Sequence, residues 1–104
     1  MRTLSFKVTG QKIAIDPGCD TSGLVSGTMG YLEAEFTFDK EWDRCKKAAQ
    51  FFDAKEKEHA VPIIGGKCMI PAGAIMGRVF YVAVVGARSG YKIRTNRAMV
   101  RQGG

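Results

Sequence analysis

Between Tyr31 and Phe38 apolar and polar side chains alternate. Leu32, Ala34, Phe36 and Phe38 fall on one side; Tyr31, Glu33, Glu35 and Thr37 fall on the other. Successive strand residues point to opposite faces, so this period of two predicts a strand with one side in a core and one in water. The period recurs at Leu4, Phe6 and Val8, which alternate with Ser5, Lys7 and Thr9 until Gly10. Ile13-Ala14-Ile15 is a second short strand. Asp16-Pro17-Gly18 follows as a turn, because proline presets φ and glycine accepts positive φ.

Residues 18–30 hold four glycines among Ser and Thr. They read as a glycine-rich loop, or as a weak edge strand around Leu24-Val25. Asp39 to Asp43 is a polar corner carrying Trp42, the one tryptophan, expected to plug an end of the core. Cys45 to Ala54 is compatible with a helix, but the neighbouring pattern favours a strand through Lys47–Phe52. Asp53 to Glu58 is then a hairpin tip, and His59 to Ile64 the returning strand. Gly65-Gly66 is a tight turn before a short strand at Lys67–Ile70. Pro71 to Gly77 suits one helical turn. Val79 to Val85 is apolar and β-forming, as expected of a central strand buried on both faces. Gly86 to Gly90 reads as a turn. Tyr91, Ile93 and Thr95 alternate with Lys92, Arg94 and Asn96, Ala98 to Val100 extends that strand, and residues 101–104 read as a frayed tail.

Seven to eight short strands over residues 1–104 predict one all-β domain, a small antiparallel β-sandwich or barrel. Apolar residues at 45% and charged residues at 25% are ordinary for a globular chain and argue against disorder. No apolar run approaches the ~18 residues of a membrane span, and the N-terminus lacks the apolar stretch of a signal peptide. No membrane association is expected, and the cytoplasm is the expected site of synthesis.

Candidate chemistry is sparse. Cys19, Cys45 and Cys68 lie 26 and 23 residues apart without a CxxC pair. With His59, the only histidine, they make a Cys3His zinc set arithmetically available, but structural zinc sites bring ligands in close pairs. Free thiols are the simpler reading. A Ser–His or Cys–His nucleophile would have to use His59, and no nucleophile motif surrounds the cysteines. Asp39, Glu41 and Asp43 are interleaved with Lys40 and Arg44, as in a solvated turn. Gly65-Gly66-Lys67 and Gly10-Gln11-Lys12 are too short for phosphate loops. No catalytic, cofactor or metal site is expected, nor enzyme activity.

Charge is the feature with functional reach. Residues 1–58 carry nine bases and all ten acids, a net −1, whereas residues 59–104 carry seven bases and no acid, a net +7. Arg88, Tyr91, Lys92, Arg94, Arg97 and Arg101 are the candidate contact residues. Lys92 and Arg94 share the face opposite Tyr91 and Ile93. Tyr91 could stack a base while the cations meet phosphates, or the row could face an acidic protein. The plain alternative is a solvated outer face whose cations guard an edge.

Several fixed points recur together: Tyr31-Leu32-x-Ala34-x-Phe36-x-Phe38-x-x-x-Trp42, Lys47-x-Ala49-x-Phe51, Cys68-x-Ile70-Pro71, Phe80-x-Val82-x-Val84-x-Gly86 and Ile93-x-Thr95-Asn96. Over residues 31–96 this resembles small structural domains of tail, baseplate and fibre proteins from phages of Gram-positive bacteria. The resemblance implies an immunoglobulin-like β-sandwich, a role in virion assembly or attachment, and no catalysis. The expected partners are other virion proteins and further copies of the chain, with nucleic acid the lesser candidate. The expected location is a virion assembled in the host cytoplasm. The glycine-rich first 30 residues and the basic run after Arg78 depart from the pattern. A small phage inhibitor of a host defence or nucleic-acid-handling enzyme, using its basic C-terminal strand, is the rival expectation.

Overall fold

Strand β1 (Arg2–Thr9) turns Leu4, Phe6 and Val8 inward, where each is at most 1% exposed. The computed structural model that shows this describes residues 1–103. Strand β2 (Lys12–Ile15) folds back on β1 as a hairpin, pairing Ile13 with Val8 and Ile15 with Phe6. Strand β3 (Leu32–Phe38) lies beside β1 in parallel, Phe6 opposite Phe36. Parallel neighbours need a crossover, and residues 16–31 supply it. Strand β6 (Lys67–Met69) completes a four-stranded sheet in the order β2-β1-β3-β6.

The second sheet is built on β4 (Lys46–Phe52), β5 (Glu58–Ile63) and β7 (Val79–Arg88). Beyond β7, strands β8 (Tyr91–Arg94) and β9 (Ala98–Arg101) share its far edge. The hairpin favoured over a helix for this stretch forms, β4 pairing antiparallel with β5. Ala49 and Phe51 point into the core, and Ala48, Gln50 and Phe52 point out. Every strand pair is antiparallel except β1–β3. Among the described residues nine strands form, because the expected final strand is interrupted and counts as β8 and β9. Among the described residues no helix is long and apolar enough to cross a membrane.

The inner faces of both sheets share one hydrophobic core. Phe6, Phe36, Phe38 and Trp42 form a run of adjacent rings, with successive centroids 5.4, 6.0 and 5.3 Å apart. Trp42 sits on a 3₁₀ turn (Lys40–Trp42) capped by Asp39, whose carboxylate accepts the Glu41 N–H. The indole is fully buried and donates Nε1–H to Gly10 O at 2.8 Å, so it closes one end of the core as its position suggested.

Three expectations need correction. Gly86 does not start a turn. β7 runs through to Arg88 and reverses at Ser89-Gly90, with Gly90 at φ +69°. Gly86 is glycine because a Cβ there would lie 2.8 Å from Trp42 Cε3 and Cζ3. Second, β7 is central but not buried on both faces. Phe80, Val82 and Val84 are buried inside, whereas on the outer side Ala83 is buried but Val79, Tyr81 and Val85 are partly exposed. Third, residues 101–103 are not frayed. Arg101 belongs to β9, Gln102 is buried, and Gly103 pairs with Val25, giving the glycine-rich loop a single bridge. Gly104 lies outside the described residues.

Candidate interaction face

The chemically versatile side chains are spent on structure. His59 Nε2 stands 3.1 Å from Asp53 Oδ2, and Asp53 Oδ1 accepts the N–H groups of Lys55 and Lys57. This set organises the β4–β5 tip. The His59 contact, then the backbone N–H donors, hold the Asp53 carboxyl below its ordinary pKa. Asp39 caps its turn and accepts Gly10 N–H, while Glu41 and Asp43 offer backbone carbonyls to Tyr91 and Arg88. Among the described residues no three His, Cys, Asp or Glu side chains converge as a metal ion requires.

The three cysteines are free. Cys68 is buried on the inner side of β6, and burial pushes its thiol up to about 11. At pH 8 about one part in a thousand of it would then be thiolate, the nucleophilic form. Cys19 is half-buried against β1 of the same sheet, its Sγ accepting the Ser5 N–H at 3.3 Å. Iodoacetamide at pH 8 is therefore expected to label Cys19 well before Cys68, followed by mass spectrometry of the native protein. Equal rates would contradict this.

An open cleft of about 560 Å³ lies at the mouth between the sheets, lined by Phe38, Cys45, Lys47, Ile63 and Ile64. Lys47 points inward there, its ammonium 5.1 Å from the Phe38 ring centre and 3.2 Å from Cys45 O. A carbonyl and an aromatic face satisfy it without a carboxylate.

The remaining unoccupied chemistry lies on the outer face of the five-stranded sheet. Cross-strand register places it in rungs. Lys46 and Lys92 flank Ala87. The next rung is Pro62, Ala48, Val85 and Arg94. Then come Ala60, Gln50 and Ala83, and after them Glu58, Phe52, Tyr81 and Met99. Small side chains leave the first two rungs flat, with cations at their borders.

The last strand changes character between Arg94 and Ala98, and this sorts the six predicted residues. Thr95 Oγ1 accepts the Val84 N–H, and Asn96 turns toward the other sheet, where its Oδ1 accepts the Ile13 N–H at 2.9 Å. The edge is therefore sewn to β2 at this point. Arg97 is thrown across the outer face. Its guanidinium lies 3.7 Å from the Phe52 ring centre and pairs with Glu56 at 2.6 Å. Phe52 and its surroundings are thereby covered. No family model, curated protein or solved structure matches this chain.

Lys92 and Arg94 do share an exposed outward face, as the alternation implied. Arg88 and Tyr91 lie on the opposite side of the strands. Arg88 covers the Tyr91 ring at 4.0 Å and donates to Asp43 O, while Tyr91 O–H donates to Glu41 O. Tyr91 is thus held against its own chain on one face and at its hydroxyl, leaving it poorly placed to stack a base. Arg101 shares the outward direction but stands opposite Val79, at the far end of β7 from Lys92. The structure therefore brings together Lys92 and Arg94 and adds Lys46, which sequence reasoning missed. Its signal was the outward period Lys46, Ala48, Gln50, Phe52 on β4, which has meaning only once β4 is known to flank β7.

Proposed function

We propose that this domain is a non-catalytic structural component of a bacteriophage virion, in a tail, baseplate or fibre assembly, working through protein–protein contacts. One observation supports this above the others. The residues that carry the resemblance to phage structural domains are the framework of the sandwich. Phe36, Phe38 and Trp42 pack ring against ring, Gly86 clears the indole, Cys68 and Ile70 are buried, and Asn96 ties the sheets together. A framework of this kind, with its core filled, leaves the outer surface as the working part. The flat apolar rungs bordered by cations are the kind of surface such a part would use.

Mass spectrometry of density-purified particles from an induced lysate of the host strain tests the proposal. The chain should be recovered in stoichiometric amount with tail or baseplate proteins. Its absence from particles that contain those proteins would refute it.

A further inference from the structure

We infer that the open part of this outer face docks an acidic extended strand of a different virion protein, one bearing carboxylates at alternate positions; this rests on the virion reading above. Lys92 and Arg94 sit two residues apart on one face of β8, a separation of about 6.8 Å along the strand. Carboxylates at positions i and i+2 of an opposing extended segment repeat at the same distance. Lys46 stands in the same rung as Lys92 with Ala87 between them, two strand spacings or about 10 Å away. The three cations therefore outline a corner around Ala48, Val85 and Ala87. An extended segment can lie flat on that floor because none of the three floor side chains is larger than valine.

The face lacks a partner of its own. Among the described residues the ion pairs are His59–Asp53, Lys67–Glu35 and Arg97–Glu56, and none uses Lys46, Lys92 or Arg94. Arg97 shows the alternative outcome: it has an acid and an aromatic ring to cover, and it lies down on the sheet. The three unpaired cations border apolar surface instead, so an acidic partner gains charge complementarity and buries that surface together.

A second copy matches poorly. Glu33 and Glu35 do alternate on the outer face of the four-stranded sheet, but Lys7 and Lys67 share that face, and Lys67 already stands 3.6 Å from Glu35. Nucleic acid matches poorly too. It would use bare aromatic rings for stacking, whereas Arg88 lies over Tyr91 and Arg97 over Phe52.

Zero-length carbodiimide cross-linking of purified particles tests the assignment, because it joins a lysine amine only to a touching carboxylate. Lys92 should couple to a carboxylate of another particle protein that has a second carboxylate two residues away, and Lys46 to a carboxylate of that same protein. In parallel, the triple variant K46Q/K92Q/R94Q changes only exposed side chains and should keep its strand-type circular dichroism. Exposed pairs contribute up to about fivefold each, so its competition against wild type for particle incorporation should fall by up to about 100-fold. Cross-links to Glu33 or Glu35 of another copy, cross-links from this face to nucleic acid under ultraviolet light, no cross-links from Lys46 or Lys92, or unchanged incorporation of a folded triple variant would each overturn it. Absence of the wild-type chain from particles would overturn the virion reading itself, an outcome distinct from presence without these cross-links.

Discussion

Trp42→Ala is expected to destabilise the domain by about 3–5 kcal/mol, the usual cost of emptying a fully buried large aromatic site. Small domains are stable by only ~5–15 kcal/mol, so this approaches unfolding. Three contributions converge at the indole. It is completely buried, it packs at a tilt against Phe38, and it satisfies Gly10 O at the β1–β2 turn. The neighbourhood is shaped around it, since Gly86 has no room for a methyl group against the ring and Cys45. A second substitution separates this account from generic core loss. Gly86→Ala should cost about 1–3 kcal/mol in the native background, through overpacking, and much less where Trp42 is already alanine. Urea unfolding followed by circular dichroism measures all four proteins. A Trp42→Ala cost below about 1 kcal/mol, against the expected range, or simple additivity of the two changes, would show that the indole does not close the core.

Gly86 also marks where sequence stopped being informative. Glycine and a following Ala-Arg-Ser-Gly suggest a turn when only neighbours along the chain are considered. The glycine answers instead to Trp42, 44 residues earlier, a relation no local pattern contains. Elements whose logic is local were legible. Alternation in β1 and β3 announced both buried faces, and the Asp53–Glu58 charge run announced a hairpin tip. The candidate face was half legible for the same reason. Period two placed Lys92 and Arg94 on one side, but it cannot say which strand lies alongside. Lys46 joins them only through the order β4-β7-β8. Arg97 left the row because the backbone at Thr95-Asn96 detours to bond Val84 and Ile13. Tyr91 was correctly placed on the face opposite Lys92 and Arg94, but it was expected to be free to stack a base, and neither Arg88 over its ring nor the Glu41 carbonyl at its hydroxyl had a sequence signal.

Truncation after Arg101 is expected to cost on the order of 3–5 kcal/mol, although it removes residues that composition alone marks as a loose polar tail. Gln102 donates its backbone N–H to Arg78 O at 2.7 Å, and its side-chain amide donates to Ile75 O at 3.3 Å and Gly77 O at 2.9 Å. Gly103 donates to Leu24 O at 2.6 Å and accepts from Ser26 N–H at 2.9 Å. Each such bond contributes a net ~0.5–1.5 kcal/mol, and the carbonyls left behind near buried Leu24 and Ile75 lose partners where water is scarce. The total stays toward the lower end because buried Gln102 Oε1 has no partner among the described residues and its desolvation cost disappears with it. The effect should also be local in a telling way. The segment pins the glycine-rich loop to the sandwich, so hydrogen exchange at Ser26 and its neighbours should accelerate more than exchange in β1 or β4. Gln102→Ala, which keeps the backbone bonds, should cost about 1–3 kcal/mol and leave Ser26 protected. Equal urea midpoints for the full and truncated chains, with unchanged Ser26 exchange, would show that the tail contributes no stability despite its burial.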